Sequence, residues 1–111
     1  MQAQDVFAEC RQKLNDPAGV RFMNPTLFRV LGDALDELWS RRRSAFYTAG
    51  IVTVMPAKPV GLTDVVGVQD QYRLALALYM TYLCLIDANP ATNNPKLAQL
   101  CYDQFEKWIG G

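Results

Sequence analysis

Three carboxylates close together in the sequence are the first candidates for chemistry. Asp33, Asp36 and Glu37 fall on one side of a predicted helix. General acid–base catalysis by such residues requires at least one carboxylate in a dry cleft, where burial shifts its pKa. Each of them has an arginine nearby at helical spacing, and the side they share lies opposite the apolar stripe of the helix. We therefore interpret the three carboxylates as a solvated helix face.

Other catalytic patterns are missing from the sequence. It has no histidine, which is the commonest general base and metal ligand at neutral pH. It contains no CxxC, HExxH, GxSxG or GxxxxGK(S/T) motif. The sequence therefore predicts no catalytic residue, no metal site and no cofactor, and we expect a protein that is not an enzyme by itself.

A run of three arginines, Arg41, Arg42 and Arg43, closes the second predicted helix. Arginines can contact phosphates, so these residues are candidates to face a DNA channel. Cations at a helix C-terminus are also stabilised by the helix dipole without any ligand. The chain carries eleven basic and eleven acidic residues, and no aromatic residue is interleaved in the run. These features favour the structural interpretation and leave the DNA contact open.

Two further sets of side chains are interpreted as packing groups. The cysteines are three in number and widely spaced along the chain: Cys10, Cys84 and Cys101. This pattern predicts buried thiols in a reducing compartment rather than disulfides or a metal site. A tyrosine-rich set lies on the third predicted helix: Tyr72, Tyr79, Met80 and Tyr82. It could line a ligand pocket, but packing in a core or an interface is the commoner role of such residues.

The apolar run LALALYMTYLCLI, residues 74–86, contains one polar side chain, Thr81. A helix that spans a bilayer needs roughly 20 consecutive apolar residues, so this run is too short. The first residues of the chain also lack the basic head and apolar stretch of a signal peptide. We expect a soluble protein inside a cell, with no membrane segment. A helix that is apolar on all sides is normally buried on all sides, here by other helices of the chain or by a second copy.

The hydrophobic spacing predicts a mainly α fold, a single four-helix bundle-like domain over residues 1–111. The helices are predicted at about residues 3–14, 25–43, 68–87 and 95–109. Residues 48–62, between the second and third helices, are predicted to form an extended arm. Its β-prone residues are Ile51, Val52, Thr53 and Val54. An isolated strand is not stable, so this segment needs a partner in the chain or in a neighbouring subunit.

Local signals refine the second and fourth helices. Asn24 before Pro25, and Asn94 before Pro95, both predict a helix cap followed by a proline in the first turn. Ion pairs are predicted at i,i+4 spacing, between Arg29 and Asp33 and between Glu37 and Arg41. The fourth helix is predicted to place six side chains on one apolar face: Leu97, Leu100, Cys101, Phe105, Trp108 and Ile109.

The order of these elements follows a known pattern in two stretches. Residues 14–46 contain a Leu–Asp turn and a helix of the type L-x-x-x-L-x-x-A-x-x-E-L, with matches at Leu14, Asp16, Phe28, Leu31, Ala34, Leu38, Arg43 and Ala45. Residues 69–110 contain Y-x-x-A-L-x-x-Y-x-x-Y, an acidic residue, an Asn/Pro-rich link and A-x-x-x-Y-x-x-F. The matches there are Tyr72, Ala75, Leu76, Tyr79, Tyr82, Asp87, Ala98, Tyr102 and Phe105. The sequence thus resembles the small head–tail adaptor, or connector, proteins of tailed bacteriophages.

This resemblance implies a structural virion protein. Such adaptors form a ring, usually of twelve copies, beneath the portal protein, and a stopper or tail-completion protein binds below. DNA passes through the lumen, so the protein lies near DNA without reading it. The expected location is the virion neck, after assembly in the host cytoplasm.

Many relatives have a longer middle section with a β-hairpin, and some have an extended C-terminal tail that docks on the portal protein. Both are short in this sequence, so the candidates for subunit and partner contacts are Ile51, Val52, Thr53, Val54, Trp108 and Ile109. Two alternatives remain. One is a small cellular interaction module, such as a dimeric regulator with the third helix at its seam. The other is an enzyme subunit completed by a partner chain at the acidic face.

Overall fold

The described residues fold into four α-helices, which confirms the mainly α prediction. The computed structural model describes residues 1–16, 18–19, 21–46, 55–86 and 94–110. Helix α1 spans Ala3–Leu14, α2 Asn24–Arg41, α3 Arg73–Leu85 and α4 Pro95–Trp108. Short 3-10 turns at Arg43–Phe46 and Asp70–Tyr72 follow α2 and precede α3. These ranges hold no strand, and their only β-type pairing is an isolated antiparallel bridge between Gln2 and Val65.

Helix α3 lies at the centre of the bundle and packs against α1, α2 and α4. Its buried side chains point to all three neighbours: Ala75, Leu76, Ala77, Leu78, Met80, Thr81, Cys84 and Leu85. The nearly continuous apolar run is therefore explained by burial within the same chain. No helix in the described part of the chain is both long and apolar enough to cross a membrane.

The helix ends show where local signals succeed and where one fails. Helix α1 has the predicted bounds and ends at Asn15, whose φ of 54° is left-handed. Asn94 caps α4 as predicted, since its Oδ1 accepts a hydrogen bond from the Leu97 amide at 3.2 Å. The predicted cap at Asn24 is wrong. Asn24 is itself the first residue of α2, after the N-cap Met23. Its Oδ1 accepts a hydrogen bond from Arg11 Nη2 at 2.7 Å.

Two predicted helices are shorter in the structure than in the prediction. Helix α2 stops at Arg41, after which Arg42 takes an extended φ of −150° and the chain continues as a 3-10 turn. Helix α3 begins at Arg73 rather than near residue 68. The amide of Gln69 donates to the carbonyl of Ala45 at 2.9 Å, which holds the preceding segment against the 3-10 turn after α2.

The described part of the predicted arm contacts α2 through Lys58, which pairs with Asp36, and only its last residues reach the start of α1. Residues 55–60 have no regular structure, and the stretch that follows pairs with the first residues of the chain. The amides of Ala3 and Gln4 donate to the carbonyls of Asp64 and Leu62 at 3.0 and 2.9 Å. This segment thus finds its backbone partner within the chain. Ile51–Val54, the β-prone residues of the prediction, lie outside the described residues.

The predicted apolar stripes are correct for α1 and too wide for α4. All five predicted residues of α1 are buried: Ala3, Val6, Phe7, Cys10 and Leu14. In α4, Cys101, Phe105 and the following Ile109 are buried, whereas Leu100 and Trp108 are exposed. Helix α4 packs mainly on α3, so one narrow face is enough to cover the contact.

Candidate partner-binding surface

The three arginines at the end of α2 all have partners within the chain. Arg41 forms a two-pronged ion pair with Glu106 of α4, at 2.5 and 2.6 Å. The Arg42 guanidinium donates to the carbonyl of Ile109. Arg43 stacks over the ring of Trp39, 4.7 Å from its centroid. Arg41 and Arg42 therefore join the end of α2 to the end of α4, contacts that the sequence interpretation did not include, and the DNA-channel role stays a prediction.

The Arg41–Glu106 pair dominates the electrostatics of this end of the bundle. Hydrogen bonds from Arg41 and Tyr102 lower the pKa of Glu106 from an ordinary 4.5 to about 2. The hydrogen bond with Glu106 raises the pKa of Arg41 in turn. A second carboxylate, Glu37, lies 3.7 Å from Arg41 and forms the predicted i,i+4 pair. Because these side chains are partly exposed, their main effect is to fix the position of α4 relative to α2.

An aromatic cluster lies beside this ion pair, between α3 and α4. It consists of Tyr79, Tyr82, Tyr102 and Phe105. The Tyr79 and Phe105 rings are 4.8 Å apart, and those of Tyr82 and Tyr102 are 4.9 Å apart. Burial, with a smaller contribution from Glu37, raises the pKa of Tyr79 to about 12. The cluster packs two helices together, as predicted for the tyrosines of the third helix.

The acidic face of α2 does not form a catalytic arrangement. Asp33 and Asp36 are exposed, and Asp36 pairs with Lys58 at 2.7 Å. The predicted Arg29–Asp33 pair is not among the ion pairs of the described residues. No group of three or more potential metal ligands occurs within the described ranges. The face is solvated, and it provides no dry cleft for acid–base chemistry.

Two open hollows mark the described surface. One, about 400 Å³ in volume, is lined by residues of α1 together with Asn24 and Leu62. The other, about 600 Å³, lies between Met1, Phe46 and residues 65–70. Neither hollow is lined by the acidic face, the arginine run or the aromatic cluster. The acidic face, the arginine run and the aromatic cluster therefore lie outside these two hollows.

Exposed apolar side chains are the more informative surface feature. Val60 is 86% exposed, Val65 71%, Leu100 51% and Trp108 45%. Among the predicted contact residues, Trp108 is thus accessible to a partner, whereas Ile109 is 4% exposed and belongs to the core. We call Val60, Val65, Leu100 and Trp108 the exposed apolar set.

Two aspartates have hydrogen-bonding roles that the sequence reasoning did not assign to them. Asp16 is buried, and its Oδ2 accepts from the Phe22 amide at 2.9 Å while lying 3.7 Å from Arg11 Nη1. Asp64 Oδ2 accepts from the amides of Val60 and Gly61 at 2.9 and 2.8 Å, which lowers its pKa. Both are aspartates in turns, whose side chains commonly accept nearby backbone hydrogen bonds. That tendency was the available signal.

The three cysteines are buried and form no disulfide, in agreement with the sequence prediction. Thr81, the one polar residue of the apolar run, is fully buried beside Cys10. Its hydroxyl donates to the Ala77 carbonyl one turn earlier, at 2.7 Å. This bond satisfies the hydroxyl inside the core, which is how a polar side chain is tolerated there.

Comparison with known proteins adds no identification. No protein-family model, curated protein or solved structure matches the chain.

Proposed function

We propose that this chain is a structural head–tail adaptor of a tailed bacteriophage. In this proposal, copies of the chain form a ring beneath the portal protein, and a stopper or tail-completion protein binds to the other side of the ring. DNA passes through the lumen, and the chain itself performs no reaction. The proposal begins from the resemblance in residues 14–46 and 69–110, and the arrangement of the helices supports it.

The residues that carry the resemblance occupy structural positions of the bundle. Tyr79 and Tyr82, from one part of the pattern, pack against Tyr102 and Phe105, from a later part. Leu31, Ala34 and Leu38 of the earlier stretch are buried. A pattern whose residues pack helices against one another is compatible with a structural subunit.

The exposed apolar set is the single observation that carries the proposal. The chain already buries a core of its own around α3, so these side chains are not needed to complete it. Val60 and Val65 lie on the segment that precedes α3, whereas Leu100 and Trp108 lie on α4. In the proposed ring, these side chains would contact neighbouring subunits.

The structure weighs against one form of the alternative, a dimeric regulator with the third helix at its seam. Three helices of the same chain already cover α3. A dimer seam along α3 would have to displace at least one of them and expose residues such as Leu76 and Met80. A small interaction module would therefore need a different surface.

A ring-assembly experiment tests the proposal. The chain is co-expressed with the portal protein encoded beside it in the same genome, and the complexes are analysed by native mass spectrometry and electron microscopy. We expect rings on the portal with the wild-type chain. Val65→Asp should reduce incorporation several-fold, because a charge would then have to be buried at a contact.

Ala57→Asp is the matched control, since Ala57 is exposed on the same segment and the change introduces the same charge. It should incorporate as the wild type does, and both variants should keep the wild-type melting temperature. If the wild-type chain stays separate from the portal, and purified virions from that genome lack it, the adaptor proposal is wrong.

A further inference from the structure

One side of α4 is exposed and combines apolar with charged side chains. Leu100, Gln104 and Trp108 are spaced four residues apart, so they form a stripe along one side of the helix. Leu100 is 51% exposed and Trp108 45%. Asp103 and Lys107 are also exposed, and their helical positions border this stripe. We call these five residues the outer face of α4.

The outer face is separate from the contacts that hold α4 in the bundle. Helix α4 packs on α3 through its buried side chains, as Phe105 does on Tyr79. Glu106, which pairs with Arg41 of α2, lies about 160° around the helix from Gln104. A partner could therefore bind the outer face without displacing a helix of the same chain.

The two charges of the outer face are available to a partner. Asp103 and Lys107 are four residues apart, yet neither belongs to an ion pair in the part of the chain that the structure describes. Asp103 Oδ1 accepts a hydrogen bond from Gln99 Nε2 at 2.9 Å, which holds the carboxylate at the helix surface. A complementary partner would present the same two charges in the reverse order along its surface.

We propose that the outer face of α4 pairs with the same face of a second copy of the chain, antiparallel, about a two-fold axis at Gln104. In this arrangement a residue that precedes the axis faces the residue that follows it by the same number of positions. Leu100 then faces Trp108 of the second copy, since each is four residues from Gln104. The two-fold axis repeats this contact, so both apolar side chains of each copy are covered.

The charges match in the same register. Asp103 faces position 105 of the second copy, which is two residues, or about 3 Å along the helix, from Lys107. The lysine side chain is long enough to span that offset, so two symmetric Asp103–Lys107 pairs form. In a parallel pair each residue would face its own copy, and the like charges would repel. The outer face is therefore complementary to itself in the antiparallel orientation and not in the parallel one.

This inference does not depend on the adaptor function. Helix α4 has 14 residues, a length of about 21 Å, so the contact is small and of the kind that gives weak, reversible association. If the chain is an adaptor, the pair would separate before Leu100 and Trp108 contact their neighbours in the ring.

Sedimentation equilibrium of the full chain, from roughly 10 µM to 1 mM, tests the pairing in the range expected for a small contact. We expect a reversible monomer–dimer equilibrium without larger species, because a two-fold contact closes on itself. Leu100→Asp should raise the dissociation constant roughly tenfold or more, since a charge would be buried at the contact. The variant should keep the wild-type melting temperature at a concentration where both chains are monomeric.

Charge reversal tests the register. Asp103→Lys and Lys107→Asp should each raise the dissociation constant roughly fivefold or more, because like charges then face each other. An equimolar mixture of these two variants should form a heterodimer at least as tight as the wild-type dimer, since every facing pair again has opposite charges. Lys96→Asp is the matched control, because Lys96 faces a position beyond the end of α4. It should change the dissociation constant by less than about twofold.

Four results would overturn the inference. They are a wild-type chain that stays monomeric at the highest concentration, a dimer that Leu100→Asp leaves unchanged, single charge reversals that bind as the wild type does, and a mixture of the two reversed chains that associates no more tightly than either alone. None of these results depends on the portal protein, so the ring-assembly experiment remains a separate test of the adaptor function.

Discussion

A buried carboxylate, Asp16, organises the segment that leads from α1 to α2. It accepts hydrogen bonds from the amides of Arg21 and Phe22 and lies beside the Arg11 guanidinium. Arg11 in turn donates to the carbonyl of Phe22 at 2.6 Å. One acidic and one basic side chain thus satisfy several backbone groups that would otherwise be unpaired in a part-buried turn.

Replacing Asp16 with Ala should destabilise the chain by about 1–3 kcal/mol, because two backbone amides lose their acceptor. Asp16→Asn should cost less, since the amide oxygen can still accept. The free energy of unfolding is measured by urea denaturation. Asp33→Ala, at an exposed position, is the control and should change that free energy by no more than about 0.5 kcal/mol. Equal effects of Asp16→Ala and the control would contradict the role of Asp16.

The lowered pKa of Glu106 predicts how the stability of the fold changes at acidic pH. Its folded-state pKa is lowered to about 2 by Arg41 and Tyr102. Between that value and its ordinary pKa the unfolded chain binds more protons than the folded chain, so stability rises with pH there. The contribution of the ion pair is thus complete above the ordinary pKa and is lost as the pH falls towards 2.

Glu106→Gln should therefore have a shallower dependence of unfolding free energy on pH in this window than the wild type. Asp103→Asn removes the same charge from an exposed position on the same helix, and it should keep the wild-type slope near the Glu106 transition. Carbon-13 NMR of the Glu106 carboxyl provides a direct measurement. A midpoint at the ordinary glutamate value would show that the pair does not form in solution.

At the scale of the helices, the central position of α3 determines which leucines contribute most to the free energy of unfolding. Leu76 is fully buried between the neighbouring helices, whereas Leu100 of α4 is half exposed. Leu76→Ala should lower the free energy of unfolding by about 2–5 kcal/mol, through lost burial and the cavity left behind. The same substitution at Leu100 should cost no more than about 0.5 kcal/mol in the isolated chain. Thermal and urea denaturation of the two variants would show whether the difference exists.

Helix existence and type could be predicted from the sequence because they depend on local spacing. The apolar stripe of α1 and the cap at Asn94 are both short-range features, and both are confirmed. The predicted cap at Asn24 is wrong. The Asn24 side chain accepts a hydrogen bond from Arg11, a residue of the preceding helix, which local spacing does not reveal. The predicted width of the apolar stripe on α4 was wrong because it depends on how many helices pack against α4. The spacing of apolar residues does not give the number of neighbouring helices.

At the scale of the whole molecule, the surface was the least predictable part. The sequence marked the arginine run but could not show that Arg41 reaches Glu106, 65 residues later in the chain. It also grouped Trp108 with Ile109, which the structure separates into an exposed and a buried residue. Both features arise from the packing of α4 beside α2 and α3, a long-range arrangement that no local pattern encodes.

The burial of every native thiol has a practical consequence for studying assembly. A cysteine introduced at an exposed position such as Ser40 or Gln104 would react with a maleimide dye or spin label much faster than Cys10, Cys84 or Cys101 under native conditions. Fluorescence energy transfer or electron paramagnetic resonance could then report subunit spacing in an assembled particle. The natural cysteines could stay in place, so the core would remain unaltered during the measurement.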